Sequence, residues 1–303
     1  MRQSVRALAA CVLIAIPFNA RAQDIEPRAY SNVPVGVNFL AAGYGYTQGG
    51  LPSDPSLPIT KPNLNTSSGF LGYARALDLR GKSGMFQVIV PYMWLSGSAD
   101  FGGATLQRVV NGFADPFFRL SINFYGAPAL RLKEFSKYKQ NWIVGAAVRV
   151  SAPLGQYDES RLVNIGVNRW VVRPELGVSK AAGQWTLEVS AGPSLYTHNK
   201  EFFGGHTRSQ RPLYSSQAHA IYSFPKGIWA SLDATYYTGG QSTIDGIRSD
   251  DLQRNWRAGA TLALPVDIHN SIKLYASRGV SARTGNNFDL IGIAWQYRWG
   301  GGL

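Results

Sequence analysis

Nine charged residues recur at one parity of alternating apolar segments: Arg119, Arg149, Arg173, Glu175, Glu188, Asp233, Arg257, Lys273 and Arg298. On a lipid-facing wall, an Arg or Lys near the bilayer midplane costs roughly 2–4 kcal/mol. Inside a barrel the same groups can pair with one another, stay wet or meet a solute. These nine are therefore lumen-lining candidates, as a structural salt-bridge network or as a solute path. Catalytic chemistry has little to stand on. His-Glu-x-x-His, Gly-x-Ser-x-Gly, a phosphate loop and a cysteine pair are all absent. Gly43 to Gly49 lacks both the glycine spacing and the following helix of a dinucleotide loop. Ser215, Ser216, Gln217 and His219 form the one cluster that invites a lipid hydrolase. Ser216 and His219 have opposite parity, and Ser215 lies roughly 13 Å from His219 along a strand. His198, His206, His219 and His269 share no metal-binding spacing. The expectation is a chain that is not an enzyme, with no catalytic residues, no cofactor and no metal.

These side chains need strands to hold them. Ile291, Ile293, Trp295, Tyr297 and Trp299 alternate with Gly292, Ala294, Gln296 and Arg298, so one strand face is greasy and the other small or polar. The same period gives twelve strands over 36–48, 66–79, 84–97, 113–124, 140–152, 168–181, 184–197, 212–224, 227–239, 252–265, 269–280 and 287–299. Short links such as 78–82, 181–183, 225–227 and 265–268 alternate with long ones at 49–65, 97–112, 153–167 and 199–211. An even strand count with short turns on one side and long loops on the other is the outer-membrane pattern. Trp142, Trp185 and Trp299 fall at short-turn ends, and Trp94, Trp170 and Trp256 at long-loop ends, as two interfacial girdles require. Trp229 fits in position but not in parity. Gly126–Lys139 is too long for its side and invites a small helix. Pro91, Pro174 and Pro193 lie inside strands, where bulges or lapsed pairing are expected. The fold class is thus all-β, a transmembrane antiparallel up-and-down barrel of about twelve strands.

Arg2 and Arg6 precede the apolar run Ala7–Phe18, and Ala20-Arg21-Ala22 offers a cleavage site before Gln23. This predicts a signal peptide over 1–22 and a barrel over 23–303. Cys11 is the single cysteine, so the mature chain would hold no disulfide. The formal charge is +12 and becomes +9 once Arg2, Arg6 and Arg21 leave (30 − 3 − 18). No basic run with interleaved aromatics accompanies it, so no nucleic acid is expected. The expected partners are outer-membrane lipid, the barrel-assembly machinery and a small solute.

Ser151-Ala152-Pro153-Leu154-Gly155-Gln156-Tyr157-Asp158 leads to Asn164-Ile165-Gly166, Asn168-Arg169-Trp170 and Arg173-Pro174-Glu175-Leu176-Gly177. Gly239-Gly240, Arg257 with Gly259, Lys273 and Ser277-Arg278-Gly279 follow. This set, spread over most of the mature chain, resembles the family named for a meta-pathway of phenol degradation. The resemblance implies a bacterial outer-membrane barrel that aids uptake of small hydrophobic or aromatic compounds. It assigns no binding residues. The chain ends Trp299-Gly300-Gly301-Gly302-Leu303, so an aromatic assembly signal would be slightly internal.

Three functions follow. The first is a channel or facilitator for such solutes. The second is a non-conducting barrel plugged by its own side chains or by Gln23–Val35. The third is the hydrolase. If Ala181 pairs with Gln184, Glu188 faces Gly177. Arg149, Arg173, Glu175 and Glu188 then form one inward network that narrows the pore.

Overall fold

Period-two alternation leaves each strand one face for lipid and one for the interior, and only closure satisfies the sheet edges within a bilayer. The computed structural model describes residues 25–51, 54, 57, 59–285 and 287–303. The expected signal peptide, and Gln23 and Asp24 of the expected plug, lie outside them. The strands are β1 (Val37–Gly49), β2 (Thr60–Leu79), β3 (Lys82–Phe101), β4 (Ala104–Phe113), β5 (Phe117–Tyr125), β6 (Trp142–Ser151), β7 (Val171–Ala182), β8 (Trp185–Tyr196), β9 (Asn199–Phe202), β10 (His206–Gln210), β11 (Leu213–Ser223), β12 (Trp229–Gly239), β13 (Ser242–Ile244), β14 (Ile247–Arg248), β15 (Gln253–Pro265), β16 (Asn270–Ala282) and β17 (Phe288–Gly300). Twelve of them close an antiparallel barrel, β1-β2-β3-β5-β6-β7-β8-β11-β12-β15-β16-β17, with β17 paired back onto β1.

The remaining strands build the long-loop end. β3 runs on past the wall and pairs with β4 through Gly102-Gly103, whose φ values of 57° and 84° suit a two-residue hairpin. What reads in the sequence as the loop 97–112 is therefore a hairpin. β9, β10, β13 and β14 form a second small sheet over the same end. At the opposite end, Gly126–Lys139 holds the one-turn helix α1 (Leu132–Phe135). The Glu134 carboxylate there accepts the Arg131 backbone N–H at 3.1 Å.

The prolines act as sheet chemistry demands. Pro174 and Pro193 stand opposite each other, and the β7–β8 pairing lapses from Arg173 to Glu175 before resuming at Leu176↔Ala191. Neither ring can donate to a ladder. At Pro91 the neighbour of β3 changes from β5 to β4, and the Pro91 carbonyl accepts the Ala114 N–H at 2.9 Å.

The outer wall carries exposed Leu71, Val90, Leu120, Leu176, Leu232 and Ile293. Aromatic clusters flank this band. Tyr92 packs on Trp94 and Phe113, and Tyr236 on Trp256, at the long-loop end. Trp185–Tyr222–Phe224 and Trp295–Tyr297–Trp299 do so at the short-turn end. Trp229 is different: it is buried inside, with the Arg28 guanidinium 5.1 Å from its ring. Its odd parity in the sequence has this physical cause.

Candidate functional site

The interior has two unlike walls. On β1, β2, β3 and β17, inward Phe39, Ala41, Ala74, Ala76, Ile89 and Ala294 form a continuous apolar core with Phe117. On β5 to β15 the inner face is ionic. Register places Arg119 opposite Arg149 and Arg149 opposite Arg173, three guanidiniums in one row across β5, β6 and β7. Like charges directly opposite repel, so this row needs carboxylates. A second row runs Glu188–His219–Asp233 across β8, β11 and β12, with His219 Nδ1 2.7 Å from Asp233 Oδ1.

The N-terminal segment supplies the missing groups. Glu26 binds Arg149 and lies 3.8 Å from Arg119 Nε, while Glu175 reaches Arg173 at 3.2 Å and Arg119 at 3.7 Å. The Arg28 backbone N–H donates to Glu188 at 2.7 Å, and its guanidinium donates to Ser223 at 2.7 Å. The Tyr30 hydroxyl donates to Glu175 at 2.7 Å, and its carbonyl accepts from Asn123 at 3.3 Å. Residues 25–30 therefore cross the interior from the β11–β15 side to β5–β7, and Val33 then packs into the apolar cluster. A cavity of about 10 Å³ remains among Glu26, Arg119, Arg149, Arg173 and Glu175, room for roughly one water.

Of the nine charged candidates, Arg119, Arg149, Arg173 and Glu175 come together at Glu26. Glu188 does not join them. Expected opposite Gly177, it faces Ser179 and accepts that hydroxyl at 3.0 Å. The reason is the hairpin. Ala182 pairs with Trp185 across the two-residue turn Gly183-Gln184, which moves the register by two and keeps parity. Asp233 is buried with His219, Ser231 and Thr261. Arg257 donates to the Phe288 carbonyl at 2.9 Å and to Ser277 at 2.8 Å. Lys273 is buried on β16. Arg298 donates to the Ile268 carbonyl at 2.6 Å and so ties down the β15–β16 turn. In the cluster that invited a hydrolase, the Ser215 hydroxyl donates to the Gly192 carbonyl at 3.4 Å, while His219 turns to Asp233.

Sequence reasoning missed Glu26, Arg28 and Tyr30 as individual contacts, because a non-periodic segment carries no parity. One signal was present. Gly145 and Gly177 are inward, paired and adjacent in the sheet. Together they leave a side-chain-free seat. Cβ atoms there would lie 2.6 and 2.0 Å from the Tyr30 ring.

A second ionic group sits at the long-loop end. Asp54 Oδ2 accepts from Arg208 Nη1 at 2.7 Å and lies 3.9 Å from Arg169 Nη2. Arg169 lies 4.5 Å from the Tyr196 ring and Arg208 5.2 Å from the Phe202 ring. Burial, then the Arg208 charge, pull the Arg169 guanidinium down to about 10 against the opposing pull of Asp54.

The family model described as "Putative MetA-pathway of phenol degradation" matches residues 43–297. Among solved structures, the chain is similar to an outer membrane channel from Pseudomonas putida F1, with a TM-score of 0.74 and 19% identity over 91% of this chain and 100% of that one. Weaker similarity extends to the KdgM porin (TM-score 0.44, 11% identity, 85% and 98% covered). It extends also to the beta domain of the Bordetella autotransporter BrkA (TM-score 0.49, 11% identity, 87% and 99% covered). No curated protein matches the chain. The fold is a bacterial outer-membrane β-barrel, and its apolar band and aromatic girdles seat it in that membrane.

Proposed function

The chain belongs to the phenol-degradation family of barrels, and we propose that it is an outer-membrane channel or facilitator for small hydrophobic or aromatic compounds. One observation carries this reading, the division of the interior into an apolar wall and an ionic one. A pore for hydrophilic solutes has no use for Phe39, Ala41, Ala74, Ile89 and Phe117 side by side within it. A molecule such as toluene would follow that wall by displacing Val33 of the N-terminal segment from the same cluster, while Glu26, Arg28 and Tyr30 keep the segment docked on the ionic wall, so hydrophobic flux need not bring open ion conduction. Outer-membrane lipid and the assembly machinery are its other partners in this reading. The test is uptake of toluene into proteoliposomes beside single-channel recording. Toluene flux above empty vesicles with low conductance is expected. Absence of flux for toluene, phenol and an alkane would sink the reading.

The filled interior favours a second reading, a non-conducting barrel whose lumen is closed by Ile25–Val35 and its ion pairs. The same two measurements separate it from the first, since it allows neither flux nor current.

A further inference from the structure

We propose that Arg169 and Arg208 form a binding site for the carboxylate of an amphiphilic organic acid at the outer end of the barrel, with Asp54 standing in for that carboxylate in the empty protein. The inference rests on the uptake reading and narrows its solute class. Both guanidiniums are buried, each side chain 2% exposed. Arg169 Nη2 donates to Gln210 at 2.5 Å, but Nε and Nη1 are enclosed without a hydrogen-bond partner. Arg119 and Arg173 each leave one such nitrogen, but Arg169 leaves two; buried donors are almost always satisfied, so two on one guanidinium mark a place where an acceptor belongs. Among the described residues one carboxylate is paired with the two arginines, which leaves positive charge, and a guanidinium is the natural partner of a carboxylate.

The surroundings specify the rest of the ligand. Phe202, beneath Arg208, also belongs to an apolar cluster with Leu51, Leu57, Leu64 and Leu95. Leu51 and Leu57 stand three residues either side of Asp54. One segment thus lays a carboxylate on the arginines and two aliphatic side chains in the cluster beside them. That is the chemistry of an acid with an apolar body, written in protein. A solute acid can take the same place if its carboxylate replaces Asp54 and its body replaces the leucines. Inorganic phosphate, with no apolar body, would gain only the charge.

The probes are benzoate, its neutral counterpart benzyl alcohol, and inorganic phosphate. Their binding is measured by calorimetry on the detergent-solubilised full chain, with heat-modifiable migration as the folding control. Benzoate should bind at least about tenfold more tightly than benzyl alcohol, a difference of about 1.4 kcal/mol. Arg169→Gln should lose about that factor. Arg169→Lys, which keeps the charge without the planar fork, should recover part of it. Asp54→Asn, which loosens the internal stand-in, should raise benzoate affinity several-fold. Equal binding of benzoate and benzyl alcohol, or an unchanged benzoate affinity in folded Arg169→Gln, overturns the site. So does tighter binding of phosphate than of benzoate. Toluene flux into proteoliposomes is measured in parallel. Flux without benzoate binding defeats this site and leaves the channel standing, whereas no flux defeats the channel itself.

Discussion

The molecule holds two arginine groups that are alike in composition and unlike in completion. Inside the barrel, Arg119, Arg149 and Arg173 stand in one row against Glu175 of the wall and Glu26 of the N-terminal segment. At the outer end, Arg169 and Arg208 face Asp54 of a loop. Each group is held by a carboxylate that no strand of the wall provides. Register lines up the guanidiniums of the wall, and Glu26 and Asp54, both outside the twelve wall strands, bring further carboxylates to them. The inner carboxylate is then pinned from several sides. Glu26 binds two arginines, its own N–H donates to Gln217 at 3.3 Å, and Tyr30 fixes the segment four residues on. The outer group leaves two donors unmet on the one guanidinium of Arg169, whereas the inner group leaves a single one each on Arg119 and Arg173. The inner joint is the more nearly finished, and the outer one has room for an acceptor.

The largest effect is expected at the inner joint. Glu26→Gln would remove one carboxylate from the row of three guanidiniums, and breaking a buried ion pair costs about 3–5 kcal/mol. The penalty falls on the docked segment, since the barrel ladder does not depend on Glu26. Single-channel conductance should therefore rise while heat-modifiable migration persists. A conductance equal to that of the parent would mean that residues 25–35 do not close the lumen.

Gly177→Ala attacks the same joint by shape. Its Cβ would sit 2.0 Å from the Tyr30 ring, against 2.6 Å for Gly145→Ala. Overpacking of this kind costs about 1–3 kcal/mol, so both variants should lower Tm, Gly177→Ala by more. Adding Tyr30→Ala should remove the cost of Gly177→Ala, because the two act through one contact. Additive losses would refute the seat.

Much of this architecture is written in the alternation of apolar residues. Every one of the twelve wall strands overlaps its sequence-derived span, since lipid on one side and a packed interior on the other both enforce period two. Strand ends moved where backbone pairing continues beyond the membrane, as in β3 and β4. Asn199–Phe202 and Ser242–Ile244 read as polar loop and are strands, because three or four residues are too short for a period to show. The interior was legible by face but not by partner. Parity put Arg173 and Glu188 on one side, whereas a two-residue turn decided that Glu188 meets Ser179 and His219 instead of the arginines. Asp54, Arg169 and Arg208 lie 39 to 154 residues apart, and nothing local joins them.

Glu188→Gln asks how dry the acidic row is. Its carboxylate takes the Arg28 N–H and the Ser179 hydroxyl. Gln offers one oxygen where Glu offers two, so a buried donor goes unmet at about 1–3 kcal/mol. A fall in Tm without new conductance is the expected outcome. Unchanged Tm with altered ion selectivity would instead describe a wet lumen and end the contrast between the two arginine groups.

The smallest effect belongs to the outer cover, where solvent screens every charge. Asp245, exposed in the turn between β13 and β14, accepts the Thr207 N–H at 2.8 Å and faces His206 Nδ1 at 2.5 Å. The backbone N–H first, then the histidine, hold this carboxyl below its ordinary range. A carboxylate with a depressed folded pKa stabilises above its unfolded pKa, about 4, and that support is lost as pH falls through the folded value. Acidification should therefore loosen the clip between β10 and β13 and leave the wall intact. Hydrogen exchange at the Thr207 amide, referred to the chemical exchange rate at each pH, should lose protection below about pH 4. Wall amides such as that of Ala234 should not. Asp245→Asn keeps an acceptor for Thr207 but cannot titrate, so its exchange should lose this pH dependence. If Ala234 opens in step with Thr207, cover and barrel form one cooperative unit, and the outer joint is no freer to admit an acid than the inner one.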